Sequence, residues 1–340
     1  MSARAASAGL VAVRAAVDDA LADLPTGAAV VVGCSGGPDS LALTGGLGWV
    51  ARRRGLRALA VVVDHGLQAG SADVAAQAVR LCGLLDVPAR TVVVQVGTEG
   101  GPEAAARAAR RAALEASAAE AGAAAILLGH TRDDQAETVL LRLARGSGAR
   151  SLAAMAARTG RWRRPFLHLP REVVRDAADE LLRPFGERPW SDPHNADTSY
   201  ARVRARVLLA DLVDRLGPGV VVGLTRSADL LRDDADALDG LADDAFAEIV
   251  DAEAGPSAAC AALAALPTAL RTRVLRRMCL RAGCPGEDLH HDHVRRVDLL
   301  VVDWRGQGAV ALPGGVEAAR ACGRLCLRPS PARPGVPSGA

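Results

Sequence analysis

Lysine is absent from this 340-residue chain; all 41 of its Lys and Arg positions are arginine. A phosphate loop of the form G-x-x-x-x-G-K-[ST] is thereby excluded, because it places a lysine on the terminal phosphates. Enzymes that adenylate a lysine of their own, or form a Schiff base on one, are excluded too. Long apolar runs are also missing: none approaches the roughly 18 residues of a membrane span, so no membrane association is expected. The first 25 residues carry Asp18, Asp19 and Asp23 and no apolar export core, and read as an amphipathic Ala-rich helix. Cysteine is sparse: seven, odd in number and scattered, they do not form a disulfide framework and favour a reducing cytoplasm. Aromatics are scarcer still, with four Trp, three Phe and one Tyr.

Half of the residues are hydrophobic, enough for a large core, and the length fits about two domains. The net charge of +2 conceals a division along the chain. Between Arg142 and Arg206 there are fourteen Arg against seven acidic residues, whereas Asp211 to Glu253 holds twelve acidic residues against three Arg. A near-neutral total therefore leaves a polyanionic partner open.

The stretch VVVGCSGGPDSLAL, residues 30–43, is an apolar strand that turns into a helix through Ser35, Gly36, Gly37, Pro38, Asp39 and Ser40. A glycine pair lets backbone N–H groups face one concavity, and the helix start adds partial positive charge, so the turn suits an anion, most naturally a phosphate. LRALAVVVDHG reads as a second strand ending at Asp64 and His65, ARTVVVQV as a third and AAAILLGH as a fourth. Helices are expected over 72–85, 103–121 and 133–145, between and after those strands. Strands that alternate with helices and are continuously apolar predict a parallel sheet covered on both faces. Ligands of such folds gather at the carboxyl ends of the strands, where Ser35 to Ser40, Asp64 and His65, and the segment from His130 to Glu137 all fall.

In GHTRDDQAETVLLRLARGSG, residues 129–148, Thr131 and Asp134 have the spacing of a capping box, and Asp133 fits capping as well as function. Glu137 lies a turn deeper on the same face as Asp134, where two like charges repel unless a cation joins them; a missing cation is implied. Arg107 and Arg110 share a face of an Ala-rich helix, the ordinary reading of which is solvation. His65 and His130 end strands and read as hydrogen-bonded structural residues rather than acid–base catalysts, with His130 shaping a helix start. Five of the eight aromatics, Trp162, Phe166, Phe185, Trp190 and Tyr200, are interleaved with arginines up to Arg202, Arg204 and Arg206. Arginines contact phosphates and aromatic faces stack on splayed bases, while the plainer alternative is that these rings fill the core.

From residue 216 an acidic helical stretch extends to about 254, and residues 258–282 read as helical with a basic cluster at Arg271, Arg273, Arg276 and Arg277. His290, His291 and His293 lack the spacing of a closed zinc site and read as a helix start. Short strands are expected near 308–312 and 323–328, and the Pro/Gly/Ser-rich end reads as disordered.

SGGPDS matches the SGGxDS signature of the PP-loop ATP pyrophosphatases. VDHGL at 63–67, the stretch at 129–148 and DPHNADTSYARVRAR at 192–206 resemble one family within them, the tRNA(Ile)-lysidine synthetases, over roughly residues 25–215. The resemblance implies an α/β fold with a Rossmann-like parallel sheet, of the N-type ATP pyrophosphatases, over residues 1–215. A smaller, mostly helical α+β domain that grips tRNA would follow over 216–330, its acidic helix facing solvent or the first domain, with a tail at 331–340. It implies ligation of L-lysine to C2 of the wobble cytidine of tRNA(Ile) with a CAU anticodon, through an adenylated intermediate, in the cytoplasm. ATP would be bound by Ser35, Gly36, Gly37, Pro38, Asp39, Ser40, Asp64, His65, Gly129 and His130, with Mg²⁺ at Asp39. The lysine would be held by Asp134 and Glu137; Asp39, Arg110, Asp134 and Glu137 would serve catalysis; Arg145, Arg202 and Arg206 would bind the tRNA. Arg111 and Val203 depart from the family pattern, which carries an aromatic and an Asn there. A homodimer is left open.

A tRNA thiolase of the same superfamily would want a C-x-x-C pair, which the seven cysteines do not form. A small-molecule amidating ligase would want an N-terminal Cys nucleophile, and Ser2 follows Met1. A noncatalytic RNA-binding protein would explain the arginines and aromatics but not Asp134 and Glu137 beside a phosphate turn.

Overall fold

The computed structural model describes residues 6–66, 70–97, 101–146, 148–191, 197–251 and 255–330, in two compact units divided between Leu231 and Arg232. The expected tail at 331–340 and residues 192–196 of the quoted DPHNA segment lie outside the described residues.

The first unit begins with helix α1 (Ala8–Ala20), then β1 (Ala29–Gly33), α2 (Pro38–Arg54), β2 (Arg57–Asp64), α3 (Ser71–Leu84), β3 (Ala89–Val93), α4 (Pro102–Glu120), β4 (Ala123–Leu127) and α5 (Arg132–Leu143). It continues with α6 (Ala149–Leu152), the short strands β5 (Arg158–Thr159) and β6 (Trp162–Arg163), α7 (Arg171–Leu182) and α8 (Ala201–Leu216); α9 (Gly219–Ile249) extends into the second unit. The sheet has the order β3-β2-β1-β4-β6-β5. All pairings are parallel except the β5–β6 hairpin. Because successive strand residues face opposite sides, Val30 and Val32 of β1 enter one core with α1, α2, α3 and α7, while Ala29 and Val31 enter the other with Leu114 and Ala118 of α4. Two-sided burial is why the central strands read as unbroken apolar runs. At the edge, β3 departs from that reading: only part of it is covered, and Val93 is exposed.

Helix α2 packs by closeness. Residues 41–48 are all buried, and a Cβ on Gly48 would stand 2.6 Å from the Leu85 carbonyl oxygen and 3.0 Å from Val87 Cγ2.

The second unit continues with β7 (Val250–Asp251), β8 (Ser257–Ala259), α10 (Cys260–Ala265), α11 (Thr268–Arg281), α12 (His291–Val302), β9 (Val310–Leu312), β10 (Val316–Ala321) and β11 (Arg324–Pro329). Its sheet, β7-β8-β11-β10-β9, is antiparallel. The helical stretch expected over 258–282 is instead a strand and two helices. Pro267 separates α10 from α11, since its ring and missing N–H cannot continue a helix. The acidic helix was expected to face solvent or the first domain; within this unit Asp239 and Asp243 of α9 pair with Arg273 and Arg277 of α11, while Arg271 pairs with Asp298 at 2.7 Å. The basic cluster is thus largely spent on internal ion pairs. His290 caps α12, its N–H donating to His293 Nδ1 at 3.1 Å.

Gly48→Ala is expected to destabilise the first unit by about 1–3 kcal/mol, because a backbone carbonyl must move to admit the methyl. Gly83→Ala in α3, where a Cβ meets nothing within 4 Å, is expected to stabilise it by about 0.5–1 kcal/mol. Urea denaturation of the two variants beside the parent measures both, and equal effects of the two would contradict the packing argument.

Candidate functional site

The turn after β1 is built to present amides. Gly36 has φ +79°, a conformation that favours glycine, and its carbonyl accepts the Trp190 N–H at 2.9 Å. The Gly37 carbonyl accepts the Ser40 hydroxyl at 2.9 Å, and Ser40 Oγ in turn accepts the Ser35 N–H at 3.1 Å. Both glycine carbonyls are therefore engaged around the rim. Pro38 opens α2, so the first-turn amides of Asp39 and Ser40 face outward with the positive end of the helix dipole.

Gly129, after β4, lies directly against this turn: a Cβ there would be 2.9 Å from the Asp39 carbonyl oxygen. That contact brings the β1 and β4 ends to one place. Asp39 is the acid there. Its Oδ1 is buried and has no hydrogen-bond partner. Burial first, and then the nearby Asp134 charge, push its carboxyl up to about 6, against the opposing pull of Arg171, Arg175 and Arg206.

Asp134 and Glu137 come to the same place on α5. Thr131 caps that helix: its N–H and hydroxyl donate to Asp134 Oδ2 at 2.7 and 2.8 Å, and the Asp134 N–H returns to Thr131 Oγ1 at 3.4 Å. The cation implied between the two acids is supplied twice over by the chain itself, and a third cation reaches Glu137 alone. Arg171 Nη2 donates to Asp134 Oδ1 at 2.8 Å and to Glu137 Oε1 at 2.9 Å. Arg202 donates to Asp134 Oδ1 at 3.0 Å and to Glu137 Oε2 at 3.2 Å, and Arg206 to Glu137 Oε1 at 3.0 Å. This corrects the expectation of a pair waiting without a cation: Glu137 is completely buried, and a charge so placed needs a partner from the fold. Burial works to raise the Asp134 carboxyl, but Arg202, Arg171 and the Thr131 amide hold it well below the usual carboxylate range.

The remaining expected residues sit as follows. His65 follows β2, and burial together with the charge of Arg110 lowers its pKa; Asp64 Oδ1 accepts the Gly66 N–H at 3.0 Å. Burial lowers His130 to about 3, so it is neutral. The charges of Arg202, Arg164 and Arg107 bear on it as well. Arg145 is exposed just beyond α5. Arg202 and Arg206, expected at RNA, are here engaged with the two acids because α8 packs on α5.

Of the aromatic tract, Trp162 and Phe166 are core residues and present no face to a base. Phe185 is exposed, and Trp190 is partly exposed beside the phosphate turn. The departure at Arg111 has a physical account: its guanidinium lies over the Trp162 ring, 4.7 Å from the centroid, and the Trp162 indole donates to Glu115 at 2.6 Å. Val203 is buried in α8. The residue missed from sequence is Arg171. Its one signal is a cation at the first position of a helix, against the dipole.

The profile of the PP-loop domain family matches residues 11–212, and that of the TilS substrate binding domain matches residues 259–326. The tRNA(Ile)-lysidine synthase of Thermobifida fusca is 57% identical over 318 residues, covering 93% of this chain and 96% of that protein. The tRNA(Ile)-lysidine synthase of Streptomyces coelicolor is 55% identical, covering 90% and 86%. Among solved structures, the U34-tRNA thiolase NcsA from Methanococcus maripaludis, solved with its [4Fe-4S] cluster, superposes with a TM-score of 0.55 at 19% identity. That match covers 66% of this chain and 79% of that one, a likeness of fold alone.

Asp39 sets a pH-dependent expectation. An acid whose pKa is higher in the fold than in the unfolded chain lowers stability where it must ionise: the cost is absent below about pH 4, grows as pH rises through about 6, and is constant above. Asp39→Asn is therefore expected to stabilise the ligand-free protein by about 1–2 kcal/mol at pH 8 and to leave it unchanged at pH 4. Chemical denaturation at the two pH values measures the difference; a loss of stability at pH 8 would show that the carboxylate is satisfied.

Proposed function

The chain belongs to the tRNA(Ile)-lysidine synthase family, and on that premise we propose that this site joins L-lysine to C2 of the wobble cytidine of tRNA(Ile) with a CAU anticodon, using ATP. The observation that carries this reading is the meeting of the phosphate turn, Asp39 with its buried, unpartnered Oδ1, and the Asp134–Glu137 pair at adjoining strand ends.

ATP is the first substrate. The amides of the 35–40 turn, with the Ser35 and Ser40 hydroxyls, receive its β- and γ-phosphates, and Arg110 approaches the same charge from α4. Asp64, His65, Gly129 and His130 border the nucleotide. The α-phosphorus is left open to the C2 oxygen of the cytidine; the P–O bond to pyrophosphate breaks as the new one forms. The lysine ε-nitrogen, brought in as an ammonium by Asp134 and Glu137 and shedding its protons to attack, then displaces AMP from C2 and forms the C–N bond of lysidine. Positioning and charge neutralisation contribute most of the acceleration in such transfers.

A magnesium ion fits Asp39, whose buried Oδ1 lacks a partner and whose carboxyl is raised by a second acid. Held there by one protein carboxylate and the phosphates, it would offset triphosphate charge. Arg145, exposed beyond α5, meets the RNA; Arg202 and Arg206 reach it only on leaving the carboxylates. The reaction belongs in the cytoplasm, where tRNA and free lysine are both present. Every residue named comes from one chain, so the reading does not require a homodimer.

The test is incorporation of labelled L-lysine into transcribed tRNA. Label is expected in the CAU transcript, dependent on ATP and matched one to one by AMP, and not in the same transcript carrying UAU. Equal labelling of both transcripts, or labelling without ATP, would refute the reading.

A further inference from the structure

Arg171 is held differently from the other two arginines at the carboxylates. Its side chain is 10% exposed, against 27% for Arg202 and 31% for Arg206. One nitrogen, Nη2, reaches both acids at once, 2.8 Å from Asp134 and 2.9 Å from Glu137. Its backbone N–H donates to Asp133 Oδ2 at 2.8 Å, which ties the start of α7 to the start of α5. As the first residue of α7 it sits where the helix dipole disfavours a cation, so the acids determine its place. Arg202 and Arg206 stand one turn apart on α8 and keep part of their side chains in reach of solvent.

An ammonium that binds here needs acceptor sites on the carboxylates. Asp134 Oδ2 is taken by Thr131 and Oδ1 by Arg171 and Arg202. Glu137 Oε1 is taken by Arg171 and Arg206, and Oε2 by Arg202. Only Glu137 Oε2, with one bond where a carboxylate oxygen can accept two, keeps a site, so an ammonium that joins both acids makes one of the arginines yield. The two on α8 can transfer to phosphate or water as they leave; Arg171 has no such exit, and moving it would strand a charge in the core.

We propose that Arg171 is the positioning residue of the lysine subsite: it stays with Asp134 and Glu137 and aims them, while Arg202 and Arg206 are the counterions that the substrate ammonium replaces. The proposal rests on the reading that Asp134 and Glu137 receive the lysine. It assigns Arg171 no contact with ATP, and so predicts a selective effect.

Steady-state kinetics of full-length Arg171→Met and Arg171→Lys on the CAU transcript test it, with pyrophosphate release in the absence of lysine as a separate readout of adenylation. Arg171→Met is expected to raise the KM for lysine at least tenfold while the KM for ATP and the adenylation rate stay within twofold. Arg171→Lys, which restores a cation on a shorter stem, is expected to bring the lysine KM back to within about threefold to fivefold of the parent. An unchanged lysine KM in Arg171→Met, an equal rise in both KM values, or no recovery in a folded Arg171→Lys would overturn the proposal. Should Arg171→Met fail to fold by thermal melting, Arg171→Lys decides alone: a selective rise in lysine KM supports, and anything else overturns. Asp134→Asn separates the underlying reading. If it leaves the lysine KM unmoved, the subsite lies elsewhere; if it raises it while Arg171→Met does not, only the role of Arg171 falls.

Discussion

Two carboxylates one helical turn apart and removed from solvent dictate the arrangement around the β4 end of the sheet. Asp134 and Glu137 on α5 would repel each other strongly in a medium of low polarity, and neither can be buried alone. The fold answers with Arg171 from α7 and Arg202 and Arg206 from α8, so elements distant in sequence are drawn to one point by charge. Truncating one partner of a buried pair commonly costs about 3–5 kcal/mol, because the other charge is left behind. The site and the docking of α7 and α8 therefore share one foundation.

The absence of lysine gives this foundation a particular character. A guanidinium keeps its charge at any accessible pH and offers several donors in one plane, so Arg171 and Arg202 each contact both acids. An ammonium is a compact point charge with a different geometry. On the proposed reading, a lysine subsite surrounded by guanidiniums alone contains no internal copy of a lysine head group, so an incoming lysine would bring a chemistry that none of the resident cations duplicates. Around it, Arg107, Arg110, Arg164 and Arg175 act on His130, His65 and Asp39 from further positions, so a triphosphate meets positive charge on several sides.

The sheet and its phosphate turn were legible because period and chemistry agree there: buried strands bounded by glycine, then helix starts. What lay hidden was whatever depends on partners far along the chain. The scarcity of aromatics made Trp162 and Phe166 stand out as a surface for bases, yet rarity says nothing of burial, and both fill the core. The spacing of Asp134 and Glu137 correctly demanded a cation, but spacing cannot show that it comes from residues 171, 202 and 206. In the second unit, the apolar pattern over 258–282 concealed Pro267, whose effect on the backbone outweighs a continuous hydrophobic stripe. Arg111 is the converse case, a departure from the family pattern that keeps contact with the aromatic core through Trp162.

Asp39 shows what the arginines do not do. Arg171, Arg175 and Arg206 are near enough to pull its pKa down, and still its Oδ1 has no hydrogen bond and its carboxyl remains raised. A fold that assembles three guanidiniums for two acids had cations at hand for a third. Leaving this one unmatched lowers the stability of the ligand-free protein, and stability given up at a single buried acid points to a partner that arrives with the substrate. Asp39 lies in the first turn of α2, whose amides face the phosphate turn, so on the proposed reading a cation held by it would also lie against the triphosphate. On the same reading, acids matched within the chain on α5 and an unmatched acid on α2, joined through Gly129, are completed by substrates in two ways, one by exchange of an arginine for an ammonium and the other by addition of a cation.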